Sequence, residues 1–70
     1  MKESISNRVN ELRAQKGITQ EDLPQKMGVS RQTIIAIEKG NYTPSMLLGL
    51  KIAQFFNSPV EKIFKISYEK

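Results

Sequence analysis

The sequence predicts an all-α fold: five short helices in a single domain over residues 1–70, with a short terminal β-ribbon as an addition. Three observations predict it. Apolar residues recur at helical spacing in five successive segments, and glycines or capping hydroxyls punctuate the joins between them. A chain of 70 residues with no cysteine has neither the length for a second core nor a disulfide framework, so one packed core must hold it together.

Ile5, Val9 and Leu12 fall at i, i+4 and i+7 and predict a first helix over Asn7 to Lys16, ended by Gly17 in the left-handed position. "TQED" at 19–22 offers a Thr cap with acids in the first turn. It predicts a second helix from Gln20 to about Met27 that buries Leu23 and Met27. Gly28 stops it, and Ser30 caps a third helix that carries Ile34 and Ile37 inward and closes at Lys39 and Gly40. After the polar loop "NYTP", Ser45 caps a fourth helix with Gly49, Ile52, Ala53 and Phe56 along one face. Ser58 as cap and Pro59 at the first helical position start a short fifth helix that buries Val60, Ile63 and Phe64. The period then changes from helical to alternating, so Phe64, Ile66 and Tyr68 predict a strand over about 64–69. "MKESIS" at the other terminus is its expected partner.

Eleven Lys and Arg against seven Asp and Glu give a formal charge of +4, which suits a polyanionic partner but does not establish one. With no histidine and no cysteine, the usual metal ligands and proton shuttles are missing. No phosphate-cradling glycine loop is present, and the adjacent Glu21 and Asp22 are ordinary helix-start acids. An enzyme is the least supported class, and no cofactor, metal or small-molecule substrate is expected. No apolar run approaches the roughly 18 residues that span a bilayer, and "MKESIS" lacks the apolar core of a signal peptide. A soluble, cytoplasmic protein is the expectation.

Chemistry is carried by the segment over about 19–39. Two short helices joined only by "GVS" stand at a steep angle, which is the helix-turn-helix arrangement. Gly28 supplies the positive φ of the turn, Val29 plugs the junction, and Ile34 with Ile37 anchors the second helix. Arg31, Gln32 and Thr33 then project from its N-terminal end, the end that reaches base edges when an α-helix lies in the major groove. Taken alone, exposed polar residues there read as a solvated face; inside this frame Arg31 and Gln32 read as base-reading groups.

The segments "LRAQKGITQEDL" (12–23), "MGVSRQTIIAIEKG" (27–40), "NYTPS" (41–45) and "LKIAQFF" (50–56) are similar to the Cro/C1-type helix-turn-helix regulators. Phage repressors belong to that family. The resemblance runs from about Val9 to Phe64, some four-fifths of the chain. It implies a compact five-helix, phage-repressor-like DNA-binding domain whose third helix enters the major groove of operator DNA, usually as a homodimer.

Position by position, the resemblance implies that Ser30, Arg31 and Gln32 face bases, with Ile35 and Ala36 outward further along. It implies that Gln20 contacts phosphate and braces the recognition helix, and that Lys39, Asn41, Tyr42 and Ser45 meet the DNA backbone. Arg13 and Glu38 look like the family's interhelical ion pair, and Glu38, near the inward edge, needs such a partner. Ile35 reads equally as a thymine-methyl contact or as incidental exposure, and Tyr42 as a phosphate contact or a cover for the core edge. Pro24 departs from the family pattern, which has a small residue there. Either it strains the interior of the second helix, or that helix starts later and "TQED" forms its own turn.

Leu47, Leu48 and Phe55 lie off the apolar stripe of the fourth helix, more apolar surface than one small core uses. A homodimer interface is expected at Leu48, Phe55, Ile63, Ile66 and Tyr68. The resulting expectation is a sequence-specific DNA-binding regulator, most simply a repressor, on a palindromic operator. The rival is a protein-interaction module, antitoxin-like or a coactivator, in which the helix-turn-helix serves as scaffold.

Overall fold

The computed structural model describes residues 2–69. The chain runs β1 (Lys2–Asn7), α1 (Val9–Lys16), α2 (Asp22–Met27), α3 (Arg31–Glu38), α4 (Met46–Phe55), α5 (Val60–Ile63) and β2 (Phe64–Glu69). The five helices and the C-terminal strand stand where the patterning places them. The two strands pair antiparallel with Ile5 opposite Ile66 and Asn7 opposite Phe64. The ribbon makes the domain mostly helical rather than purely all-α. Alternation along each strand puts Ile5, Ile66 and Tyr68 on one ribbon face, away from Ser4, Lys65 and Ser67.

Val9, Leu23, Met27, Ile34, Ile37, Leu48, Ile52, Ala53 and Ile63 form the buried core. Every helix contributes at least one of these residues, so none can leave without exposing the others. Among the described residues, every buried side-chain polar atom has a hydrogen-bond partner.

Three element boundaries shift from expectation, each for a local reason. Helix α1 starts at Val9 because Asn7 belongs to β1; its Oδ1 nevertheless accepts from Val9 N at 3.1 Å and so caps the helix. Helix α2 starts at Asp22, not Gln20. Proline at 24 has no N–H for the carbonyl of Gln20, which interrupts the ladder there. Thr19–Asp22 instead forms its own turn, in which Thr19 Oγ1 accepts from the amides of Glu21 and Asp22. Pro24 thus occupies the third helical position, where an amide would have no intrahelical partner anyway. The later-starting of the two alternatives is the one that forms. Helix α5 starts at Val60 with Pro59 in the capping position, and Ser58 makes no side-chain cap.

Two members of the expected dimer interface are corrected. Ile63 is 1% exposed and Leu48 7% exposed, and both sit in the core. Leu48 and Ile52 are one turn apart and share the inward side of α4, whose apolar stripe is wider than the Gly49, Ile52, Ala53 face alone. Ile63 is drawn in because its carbonyl accepts from Arg8 N at 2.9 Å, pinning the end of α5 to the start of α1. Phe55 is half-buried, edge-on to Phe56 with ring centroids 5.1 Å apart and with Lys16 Nζ 5.2 Å from its own centroid. Ile66 and Tyr68 stand exposed.

Candidate nucleic-acid interface

The interface is built on how α2 ends and α3 begins. Gly28 has φ 73°, a value that costs most side chains strain, and the turn closes with Val29 N donating to the carbonyl of Pro24 at 3.1 Å. Lys51 Nζ reaches over from α4 to donate to the carbonyl of Met27 at 2.9 Å, which fixes the end of α2 against the domain body. Ser30, with extended ψ of 157°, caps α3: its Oγ accepts from Thr33 N at 3.2 Å. That hydroxyl also shares a hydrogen bond with Thr33 Oγ1 at 2.9 Å. Ser30 is therefore committed to the cap, although it remains at the surface.

Ile34 and Ile37 are fully buried and hold α3 from below, and Arg31 and Gln32 are exposed at its leading end. Ile35 and Ala36 are half-buried, less outward than their predicted role suggests. Lys39, Asn41, Tyr42 and Ser45 are exposed on the loop side, with the Ser45 hydroxyl occupied as the cap of α4 at 3.2 Å from Leu48 N. Ser30, Gln32, Thr33, Ala36, Asn41 and Tyr42 line one shallow concavity of about 360 Å³. The structure thus brings three base-facing candidates, Ser30, Gln32 and Ala36, together with two loop candidates, and leaves Arg31 and Ile35 outside that concavity. Thr33, absent from the predicted site set, belongs to the same surface.

Beneath α3 lies a polar network. Arg13 Nε donates to Glu38 Oε2 at 2.8 Å and Arg13 Nη2 to Glu38 Oε1 at 3.3 Å, a bidentate fork with side chains 13% and 5% exposed. Arg13 Nη1 also donates to the carbonyl of Ile18. Gln20 Nε2 at 3.0 Å and Asn10 Nδ2 at 3.3 Å complete the donors around Glu38 Oε1. Burial pushes the Glu38 carboxyl up, but the hydrogen bonds from Arg13, Gln20 and Asn10 and the charge of Arg13 outweigh it and hold the group below the usual carboxylate range. Arg13 is held above its ordinary value, first by its hydrogen bond to Glu38. Gln20 braces the end of α3 by this route, with its amide directed at a carboxylate within the fold.

Three contributors escape sequence reasoning. Asn7 Nδ2 donates to the carbonyl of Ile37 at 2.8 Å and ties the ribbon to the last turn of α3. Asn10 joins the Glu38 network, and Glu21 lies beside Arg31 with Oε1 3.4 Å from its Nε. Each pairs with a residue on another element, so no local pattern marks it. No helix among the described residues is long and apolar enough to cross a membrane.

Comparison with known proteins agrees with this geometry. Residues 9–63 match the model of the helix-turn-helix family. An uncharacterized HTH-type transcriptional regulator of Methanocaldococcus jannaschii is 57% identical over 60 residues, covering 86% of this chain and 91% of the relative. One from Bacillus subtilis is 49% identical over 65 residues, covering 93% and 98%. More distantly, the cryptic phage CTXphi transcriptional repressor of Vibrio cholerae is 29% identical over 59 residues, covering 84% of this chain and 53% of the repressor. Among solved structures, the restriction-modification controller protein C.AhdI from Aeromonas hydrophila superposes with a TM-score of 0.71 at 31% identity, covering 79% of this chain and 83% of its own. The chain belongs to the Cro/C1-type helix-turn-helix family and is a transcriptional regulator with a helix-turn-helix DNA-binding domain.

Proposed function

We propose that this member of the helix-turn-helix family is a sequence-specific repressor that binds a palindromic operator as a homodimer, with α3 in the major groove. The observation that carries the reading is the state of α3. Its inner face is locked by Ile34 and Ile37, its start is capped by Ser30, and Arg31 and Gln32 are left exposed in the first turn after the cap. Such a helix loses little freedom on binding, so its leading side chains can discriminate between bases.

Arg31 suits the O6 and N7 acceptors of guanine and Gln32 the N6 and N7 pattern of adenine. Ala36 and Ile35 offer apolar surface to a thymine methyl. Ser30, committed to its cap, contributes a hydroxyl edge at most. Lys39, Asn41, Tyr42 and Ser45 supply contacts to phosphate, and Gln20 acts there chiefly by bracing Glu38. Repression follows most simply because a domain of this size blocks a promoter by occupying it, and the similar phage protein is a repressor. The whole of residues 1–70 acts as one domain in this reading. Two-fold symmetry would set recognition helices about 34 Å apart, one turn of duplex.

Selection from a random duplex pool tests the proposal. The expected result is an inverted repeat whose affinity falls steeply with salt. Arg31→Ala should relax the choice at one base pair of each half-site, and Lys39→Ala should weaken all duplexes alike and lower the salt slope by about one. Selection of no motif, or one without two-fold symmetry, would overturn the reading.

A further inference from the structure

Arg31 opens α3 and Glu21 ends the turn ahead of α2, and the two meet across the helix-turn-helix junction with Arg31 Nε 3.4 Å from Glu21 Oε1. The side chains are 57% and 62% exposed, so the pair contributes little to stability. A carboxylate on this surface also repels the phosphates of any duplex that approaches it. The place of Glu21 at the start of α2 explains an acid there, but neither folding nor general attraction accounts for its contact with Arg31.

The geometry of the pair does. A guanidinium holds five N–H donors in one rigid plane, and a fork on guanine needs two of them presented together at a fixed angle. An unrestrained arginine on a helix surface samples many rotamers, and ordering it costs binding free energy. Glu21 takes the Nε side of the group and leaves the terminal nitrogens for a ligand. We infer that Glu21 is a positioning residue for Arg31: it holds the guanidinium so that its terminal nitrogens meet a guanine edge, which sharpens base choice while its charge lowers affinity for duplex in general.

This inference rests on the proposed role of Arg31 as a base reader. The test is selection from one randomised duplex pool by the wild-type chain, Glu21→Gln, Arg31→Ala and the double variant, with thermal midpoints measured alongside. Arg31→Ala identifies the base pair that Arg31 reads. At that position Glu21→Gln should lower the preference on the order of threefold to tenfold, a part of what a full bidentate contact is worth. Binding to non-selected duplex should tighten, the thermal midpoint should stay, and in the Arg31→Ala background Glu21→Gln should change nothing at that position. An unchanged base profile with uniformly tighter binding would make Glu21 a repelling charge only and overturn the inference. A changed profile in the Arg31→Ala background would show Glu21 reading a base itself, which also overturns it. If Arg31→Ala keeps the wild-type profile, Arg31 is no reader and the inference falls with it. If the wild-type chain selects nothing, the proposed function fails first.

Discussion

Arg13 of α1 and Glu38 of α3 face each other as a planar fork, with Nε–Oε2 at 2.8 Å and Nη2–Oε1 at 3.3 Å, almost out of reach of solvent. The fork spans the first helix and the last residue of α3, so it sets how α3 sits on the body of the domain. Removing one partner of such a pair strands the other charge, which costs far more than the intact pair contributes.

Glu38→Ala should therefore lower the free energy of unfolding by about 3 kcal/mol, read from urea denaturation. The pH dependence follows from the direction of the shift. Because the folded-state carboxyl is held below its ordinary value, its contribution is fully present above the unfolded pKa. It should be lost as pH falls from about 5 through the ordinary glutamate value of about 4.3 and on through the lower folded value. Glu38→Gln should start from a lower plateau and show a shallower acid limb. An acid limb identical to wild type would mean that Glu38 is not the group responsible.

Asn7 joins two elements with one amide: its Oδ1 caps α1 and its Nδ2 holds the carbonyl of Ile37. Asn7→Ala should cost about 1 to 2 kcal/mol, the usual range for a lost cap with a lost part-buried hydrogen bond. Asn7→Asp separates the two roles, since it keeps the acceptor for Val9 N and loses the donor to Ile37. If the Ile37 bond steadies the end of α3, Asn7→Asp should raise amide exchange in that last turn while leaving the start of α1 protected. Exchange in the last turn of α3 that stays at the wild-type rate in Asn7→Asp would deny the link between the ribbon and α3.

Pro24 supplies a third test. A proline in a helix interior costs about 3 kcal/mol, and its removal should recover that much if strain were present. At the third helical position it displaces no intrahelical bond. Its ring is also buried beside Leu23 and Met27. Pro24→Ala should thus change stability by less than about 1 kcal/mol in either direction, with a gained turn of helix offset by lost packing. A gain near the interior value in urea unfolding would show that α2 is strained after all.

What the sequence disclosed depended on range. The Ser30 and Ser45 caps, the left-handed Gly28 and the alternation from Phe64 to Tyr68 are local signals, legible because each involves residues within one turn or one strand. The pairing of Arg13 with Glu38 crosses the fold and was legible only through likeness to a family with that pair. Long-range partners without such help stayed hidden: Asn7 with Ile37, Lys51 with Met27, and Glu21 with Arg31 across the turn. Periodicity also gives the direction of a side chain without naming its neighbour. Leu48 reads as surplus apolar surface, and Ile63, inward on its own helix, still enters the expected interface, because nothing local says that α4 packs a broad face or that α5 docks on the start of α1.

That last point divides the expected dimer interface into two halves with opposite behaviour. Ile66 is 62% exposed and faces the same side of the ribbon as Ile5, whereas Ile63, three residues earlier, is in the core. A charge at Ile63 must be buried unpaired, so Ile63→Glu should unfold the monomer. A charge at Ile66 meets solvent in the monomer and should change its stability by no more than about 0.5 kcal/mol. If the ribbon face joins two copies, Ile66→Glu should convert a dimer to a folded monomer in analytical ultracentrifugation and weaken operator binding without altering which base Arg31 selects. A wild-type chain that stays monomeric at tens of micromolar, or an Ile66→Glu variant that still dimerises, removes the ribbon from the interface and leaves two-fold symmetry to be imposed by the DNA.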